Sequence, residues 1–149
     1  MLGVLHDKQI DALLHSQVTG RIGCHADNRT YVVPVTYVYD GENIICHTRE
    51  GLKLEMMRKN PEVCFEVDTM ENMANWQSVI LWGIFEELSG LPAKEAMEKL
   101  IDRVSPFMTS ETIHALEPGE SPERRDTQGF TAIVYQIKIT EKTGRFEKR

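Results

Sequence analysis

Residues 30–48 read TYVVPVTYVYDGENIICHT and carry the strongest structural signal in the chain. Across residues 31–39 every second side chain is aromatic or β-branched, which is the period of two of a β-strand with one buried face. Asp40-Gly41 then favours a tight hairpin turn, and residues 43–48 form the returning strand. Because proline cannot donate a ladder hydrogen bond, Pro34 indicates a bulge or an unpaired sheet edge inside the first strand.

The segments on either side of this hairpin predict further strands and a few helices. About six strands joined mostly by short turns indicate a mainly β fold, an antiparallel barrel with flanking helices, and one domain over residues 1–149. Residues 75–88 are apolar on both faces, which suits a barrel wall that also meets another layer or another subunit. Residues 105–128 have no strong period and predict a loop that covers a pocket. The remaining predicted strands are 21–26, 63–67 and 130–140, and the predicted helices are 5–14, 51–59 and 92–104.

Composition excludes several classes of protein. The 149 residues are 41% hydrophobic and 27% charged, with a formal net charge of −6. An acidic chain argues against a nucleic-acid binder, which needs a basic face, and no apolar run reaches the roughly 20 residues of a membrane helix. The N-terminus does not resemble a signal peptide, so we expect a cytoplasmic protein. Three cysteines, Cys24, Cys46 and Cys64, lie in apolar strands and predict buried free thiols.

Residues 44–61 contain the combination of residues that most favours a ligand-binding site. A strand ends in His47-Thr48, the chain turns, and a helix opens with Leu52-Lys53, so that free backbone N–H groups and a partial positive charge meet in a corner that suits a phosphate. Lys53 indicates a bound anion, because a cation in the first turn of a helix is unfavourable next to the helix dipole unless an anion compensates it. The alternative is a surface pair between Glu50 and Lys53, three residues apart.

Other combinations of residues are weaker. Cys24-His25 and Cys46-His47 match no usual zinc spacing, and adjacent strand residues point to opposite faces, so we predict no metal site. Trp76 and Trp82 share one strand face, where they would be core, a dimer contact or a platform for a flat ring, with core the default.

The order of motifs along the chain resembles the FMN-binding split barrels of the pyridoxamine 5′-phosphate oxidase type. The most similar branch is the nitroimidazole-resistance (5-nitroimidazole reductase) type, and the match covers nearly the whole chain outside residues 105–128. The motifs that carry it are Gly20-Arg21-Ile22-Gly23, YVVPVTY at 31–37, Asp40-Gly41, His47-Thr48-x-x-Gly51-x-Lys53, Asn60-Pro61-x-Val63-Cys64-Phe65, Trp76-x-Ser78-Val79-x-x-x-Gly83 and Thr143-Gly144-Arg145.

This resemblance implies a six-stranded antiparallel split β-barrel and a homodimer with FMN at the subunit interface. The phosphate would be held by His47, Thr48, the Leu52 backbone and Lys53. The ring would lie along Pro34, Val35 and Thr36. The residues that would reach the ring from the other subunit are Trp76, Gln77 and Ser78.

Departures from the family pattern limit the activity that the resemblance implies. Pyridoxamine phosphate oxidases carry an arginine directly before the phosphate lysine, where this chain has Leu52, and an arginine-rich tail that is here only residues 144–149. The resemblance therefore implies a flavin reductase or oxidase acting on an unknown small molecule, with no catalytic residue assigned. The alternatives are a non-catalytic flavin-binding protein, or a relative that binds haem or a deazaflavin.

Overall fold

A computed structural model of the protein describes residues 1–107 and 132–149. Within these ranges the chain forms eight strands, three α-helices and one 3-10 turn at Ser105–Phe107. The helices are α1 (Asp7–Ser16), α2 (Leu52–Lys59) and α3 (Gly90–Val104). The strands are β1 (Leu2–Val4), β2 (Thr19–Ala26), β3 (Arg29–Thr36), β4 (Val38–Tyr39), β5 (Asn43–Thr48), β6 (Glu62–Asn72), β7 (Asn75–Glu87) and β8 (Ile133–Glu147).

All eight strands belong to one antiparallel sheet in the order β3-β2-β6-β7-β8-β5-β4, with β1 paired to the far end of β8. The two edge strands, β3 and β4, are consecutive in the chain and only Tyr37 separates them, so the sheet must curl until its edges meet. The Tyr37 N–H donates to the Val18 carbonyl at 2.9 Å and its hydroxyl to the Leu14 carbonyl at 2.7 Å. The predicted antiparallel split barrel is confirmed; the two strands beyond six are the short β1 and β4.

The hairpin predicted from residues 31–48 is wrong in one respect. Its first strand breaks at Tyr37, and the longer part, β3, pairs with β2, leaving only β4 to pair with β5. The break places β3 at an edge of the sheet, which confirms the unpaired edge that Pro34 predicted. The turn itself is as expected, because Gly41 has φ of 94° and the Asp40 carboxylate accepts the N–H of Asn43 at 2.7 Å.

Two hydrophobic clusters lie on opposite sides of the curled sheet. The larger one fills the inside of the curl, and α1 packs against it through Ile10, Leu13 and Leu14. The smaller one lies outside, where α3 packs on β5 and β8. No described element covers the outside of β3, β2, β6 and β7, and this surface is called the outer face below.

The predicted helices are confirmed to within two residues at each end, and β8 extends past the predicted end of its strand to Glu147. Of the predicted loop at 105–128, everything after Phe107 lies outside the described residues. Cys24 and Cys46 are buried free thiols as predicted, whereas Cys64 is half-buried. Neither of the described ranges contains a helix that is long and apolar enough to cross a membrane.

Candidate functional site

The corner between β5 and α2 leaves the start of a helix open. β5 ends at Thr48, the chain turns through residues 49–51, and α2 begins at Leu52. Gly51 is the N-cap residue, its backbone is extended, and it supplies no side-chain cap to the helix. Within the described ranges the backbone N–H groups of the first turn, beginning with Leu52, meet no capping acceptor, and the positive end of the helix dipole faces this corner. Such a helix start can bind a phosphate.

Lys53 lies in the first turn of α2 and is half-buried. Burial lowers the pKa of its ammonium below the ordinary value, because the charged form is desolvated, while the nearby thiols of Cys46 and Cys24 act on the pKa in the opposite direction. Across the described ranges this ammonium forms no hydrogen bond and no ion pair. A desolvated cation at a helix N-terminus is unfavourable by itself, so a bound anion would stabilise it.

The alternative surface pair between Glu50 and Lys53 does not form. Glu50 instead binds the Arg58 guanidinium at 3.0 Å, and the same guanidinium binds Glu87 at 2.9 Å. The carboxylate that the spacing offered to Lys53 is therefore held by a different cation.

His47 and Thr48 lie on different sides of β5. Ile45 packs under α3 whereas Cys46 packs inside the curl. Alternation along the strand then assigns His47 to the α3 side and Thr48 to the inner side. Thr48 thus shares its side of β5 with the thiol that influences Lys53, and the structure does not bring the His47 side chain to that side.

The residues expected along a flat ring are mostly on the outer face. Cross-strand pairing runs from Pro34 through Arg21 and Glu66 to Ile80, and paired residues share one face of a sheet. Val35 belongs to the inner face, where it is buried in the core, and alternation assigns Gln77 to the inner side of β7, near an exposed end. Four of the predicted ring contacts therefore lie together on the outer face: Pro34, Thr36, Trp76 and Ser78.

A polar cluster on the outer face joins three strands. The Arg21 guanidinium lies 3.2 Å from an Asp68 carboxylate oxygen and 3.6 Å from a Glu66 oxygen, and the Ser78 hydroxyl donates to the other Glu66 oxygen at 3.2 Å. Burial raises the pKa of Glu66 to about 7, and the adjacent carboxyl group of Asp68 acts in the same direction. No sequence motif indicates this cluster, although the alternation of Glu66 and Asp68 on a predicted strand is a signal that could have found two of its members.

The rest of the outer face is apolar. Val32, Ile80, Trp82 and Ile84 are between 38% and 62% exposed, so the default assignment of Trp82 to the core is wrong. A groove of about 480 Å³ runs between the strands here, beside Trp82 and the half-buried thiol of Cys64. Exposed apolar side chains gathered on one face are typical of an interaction surface.

Trp76 lies at the start of β7 in a smaller groove of about 290 Å³, with Gln77 and Phe146 among its lining residues. Its indole N–H donates to the Glu147 carboxylate at 3.2 Å. This bond connects the half-buried tryptophan to the end of β8.

Comparison with known proteins identifies similar chains. The family model for pyridoxamine 5′-phosphate oxidase matches residues 6–146. An uncharacterised protein of Rhizobium meliloti (strain 1021) is 29% identical over 128 residues, which are 84% of this chain and 82% of that protein.

Solved structures share the fold over almost the whole chain. A structure described as an FAD-binding protein from Mesorhizobium loti has a TM-score of 0.79 and 25% identity, covering 100% of this chain and 98% of that one. A candidate 5-nitroimidazole antibiotic resistance protein from Bacteroides thetaiotaomicron has a TM-score of 0.69 and 19% identity, covering 98% of this chain and 87% of that one.

Proposed function

The chain belongs to the pyridoxamine 5′-phosphate oxidase family, and from this premise we propose that it is a cytoplasmic flavoprotein that binds FMN and acts as an oxidoreductase on a small molecule. The bound flavin would supply the redox chemistry, while the protein anchors the phosphate, orients the ring and shapes the pocket.

One observation carries this proposal: Lys53 belongs to the first turn of a helix whose N-cap residue supplies no side-chain cap, and its half-buried ammonium has no anionic partner among the described residues. A phosphate in this corner would accept hydrogen bonds from the N–H groups of Leu52 and Lys53 and would neutralise the ammonium. The hydroxyl of Thr48 donates to the Arg49 carbonyl at 3.0 Å in this structure and would become a further donor to the phosphate by rotating. FMN ends in a single phosphate, which suits a corner that offers one lysine and one helix start.

We further propose that the chain forms a homodimer with the flavin between subunits, and the outer face supports this arrangement. Pro34 and Thr36 offer one wall for the ring, and the exposed apolar surface around Trp82 offers an area for a second copy of the chain. In that arrangement Trp76 and Ser78 of one subunit would approach the ring bound by the other. The FAD-binding protein of Mesorhizobium loti, whose sequence is 25% identical, supports a flavin as the ligand class.

The direct test is to purify the chain and identify what copurifies. We expect the visible absorbance of an oxidised flavin, and chromatography of the acid-released ligand should identify FMN and not FAD. A Soret band would favour the haem alternative, and a deazaflavin would be recognised in the same chromatogram. A colourless protein that does not bind added FMN would contradict the proposal.

The sharper test is Lys53→Ala, assayed by equilibrium titration of apoprotein with FMN. Removing a charge-assisted contact worth roughly 1.5–3 kcal/mol should weaken binding by about 10- to 150-fold. Lys59→Ala is the matched control, because Lys59 lies at the other end of the same helix and pairs with Asp27 at 2.7 Å. Equal affinities for the two variants and the parent would exclude this corner as the phosphate site.

A further inference from the structure

The polar cluster on the outer face contains two carboxyl groups and one cation. Two carboxyl groups, Glu66 and Asp68, project from the same side of β6 two residues apart, and one guanidinium, Arg21, lies within 3.6 Å of both. Only 29% of the Glu66 side chain is exposed. Two carboxylates so close together resist simultaneous ionisation, and one cation compensates only one of them. A single proton shared by the pair balances the charge of the cluster.

Within residues 1–107 and 132–149, the charged groups next to the pair come from β2, β6 and β8. β2 contributes Arg21, and β6 contributes Asp68 itself. β7 contributes the neutral hydroxyl of Ser78, which is paired across the sheet with Arg145 of β8. The pKa of Glu66, raised to about 7 chiefly by burial, agrees with a pair that changes its protonation near neutrality.

The pair lies beside the positions expected to contact the flavin ring. Glu66 is separated from Pro34 by a single strand, since both are paired with Arg21, and adjacent strands lie about 4.8 Å apart. On its other side Glu66 accepts the hydrogen bond of Ser78 at 3.2 Å. The carboxyl pair thus contacts Ser78, which is expected to reach the ring bound by the other subunit, and lies one strand away from Pro34, which is expected to contact the ring of its own subunit.

We propose that the Glu66–Asp68 pair stores one proton and delivers it through Ser78 to the ligand that is reduced on the outer face. This role rests on the proposed function, because it requires a flavin on that face. Glu66 acts through the hydroxyl of Ser78 and is therefore a positioning and proton-supplying residue that does not itself touch the ligand.

The delivery step is an acid–base transfer without any change in electron count. The Ser78 hydroxyl, which donates to Glu66 at 3.2 Å, first turns to donate to a basic atom of the ligand. The O–H bond of the Glu66 carboxyl then breaks as its proton passes to the Ser78 oxygen, and the hydroxyl proton of Ser78 passes to the ligand. Both carboxyl groups are then ionised beside the single guanidinium of Arg21, so the cluster carries one net negative charge. Solvent water then returns a proton to the pair, which restores the starting state.

Glu66→Gln tests the stored proton in the ligand-free protein, because the amide keeps the size of the side chain and cannot ionise. Carboxyl carbons observed by NMR across a pH titration should show one group titrating near pH 7 in the parent and none there in the variant. In Asp68→Asn the titration of Glu66 should move down toward the ordinary value of roughly 4.3. Glu62→Gln, an exposed carboxyl on the same strand, is the matched control and should leave the group near pH 7 in place.

The second measurement is the midpoint potential of the bound flavin as a function of pH, obtained by titration with dithionite. The parent and Glu62→Gln should show a change of slope near pH 7 that Glu66→Gln and Ser78→Ala lose. Should FMN bind normally and the potential profile of Glu66→Gln match the parent, the proton-delivery role is wrong and the flavin site stands. Absence of flavin binding in the parent would overturn both.

Discussion

Among the described residues, Lys53 and Glu66 have a charged form that burial disfavours. Burial lowers the pKa of the Lys53 ammonium and raises that of the Glu66 carboxyl, so in each case the uncharged form is favoured. Groups with strongly shifted pKa values and identifiable causes cluster at functional sites. Lys53 lies in the corner at the start of α2 and Glu66 on the outer face, the two regions where a flavin's phosphate and ring are proposed to bind.

The stability of the protein should depend on pH through Glu66. Its folded pKa, about 7, is above the unfolded value of roughly 4.3, so the folded state binds this proton more tightly than the unfolded state does. The resulting stabilisation is complete below the unfolded pKa and is lost as the pH rises through 7. Relative to Glu66→Gln, the parent should lose on the order of 1 kcal/mol of unfolding free energy between pH 5 and pH 8, measured by urea denaturation.

Glu62→Gln is again the control for that measurement, since Glu62 is exposed on the same strand. Its difference from the parent should be the same at both pH values. A pH-independent difference for Glu66→Gln as well would show that the Glu66 carboxyl is not the titrating group.

At the scale of elements, a helix covers one half of the outside of the sheet and not the other half. β5 and β8 present Ile45 and Val134 outward, and α3 covers them with a stripe that includes Met97 and Leu100. β2, β3, β6 and β7 have no such helix over their outer face within the described ranges. The helix therefore confines the uncovered surface to one half of the barrel, where the predicted ring contacts lie.

Truncating the α3 stripe should destabilise the fold without affecting FMN affinity in the folded protein. Leu100→Ala, at a position 1% exposed, removes packed methyl groups and leaves a cavity, so we expect a loss of about 2–5 kcal/mol in unfolding free energy. Leu91→Ala on the same helix, at a position 65% exposed, should change stability by no more than about 0.5 kcal/mol. Similar losses for both variants in urea denaturation would mean that α3 does not dock through Leu100.

At the scale of the whole molecule, the junction of β3 and β4 at Tyr37 explains both the curl of the sheet and its continuous outside surface. Because the edge strands β3 and β4 are joined at Tyr37, the sheet closes around the larger core and leaves a continuous outside surface. α3 covers part of that surface, and a second copy of the chain is the proposed cover for the apolar remainder. Stable interfaces of this kind bury about 800 Å² on each partner.

The oligomeric state tests this arrangement. The parent should sediment as a dimer, and Trp82→Lys should shift it to monomer and weaken FMN retention, because a charge replaces an apolar contact at the centre of the outer face. Leu91→Lys, an equally drastic change at an exposed position on α3, should remain dimeric. A monomeric parent that still retains FMN would contradict the interfacial site.

The sequence alone determined the parts of this protein that depend on local chemistry. The period of two around Val33 and Val35, the edge signal of Pro34, and the helix start at Leu52-Lys53 are readable because strand alternation and helix polarity act over a few neighbouring residues. The order of motifs was also sufficient to indicate the family. These features predicted the antiparallel split barrel, which the structure confirms, and a phosphate site at the start of α2, which stays a prediction.

Only the tertiary structure decided how distant segments meet. It divided residues 31–39 between two edges of the sheet. It paired the Glu50 carboxylate with Arg58 and not with Lys53, and it placed the His47 side chain on the opposite side of β5 from Thr48. It also brought Arg21 next to Glu66 and Asp68, more than 40 residues away in the chain, which made the proton-storing cluster. Such contacts depend on strand order and on which face a neighbouring element covers, and no local pattern of residues specifies either.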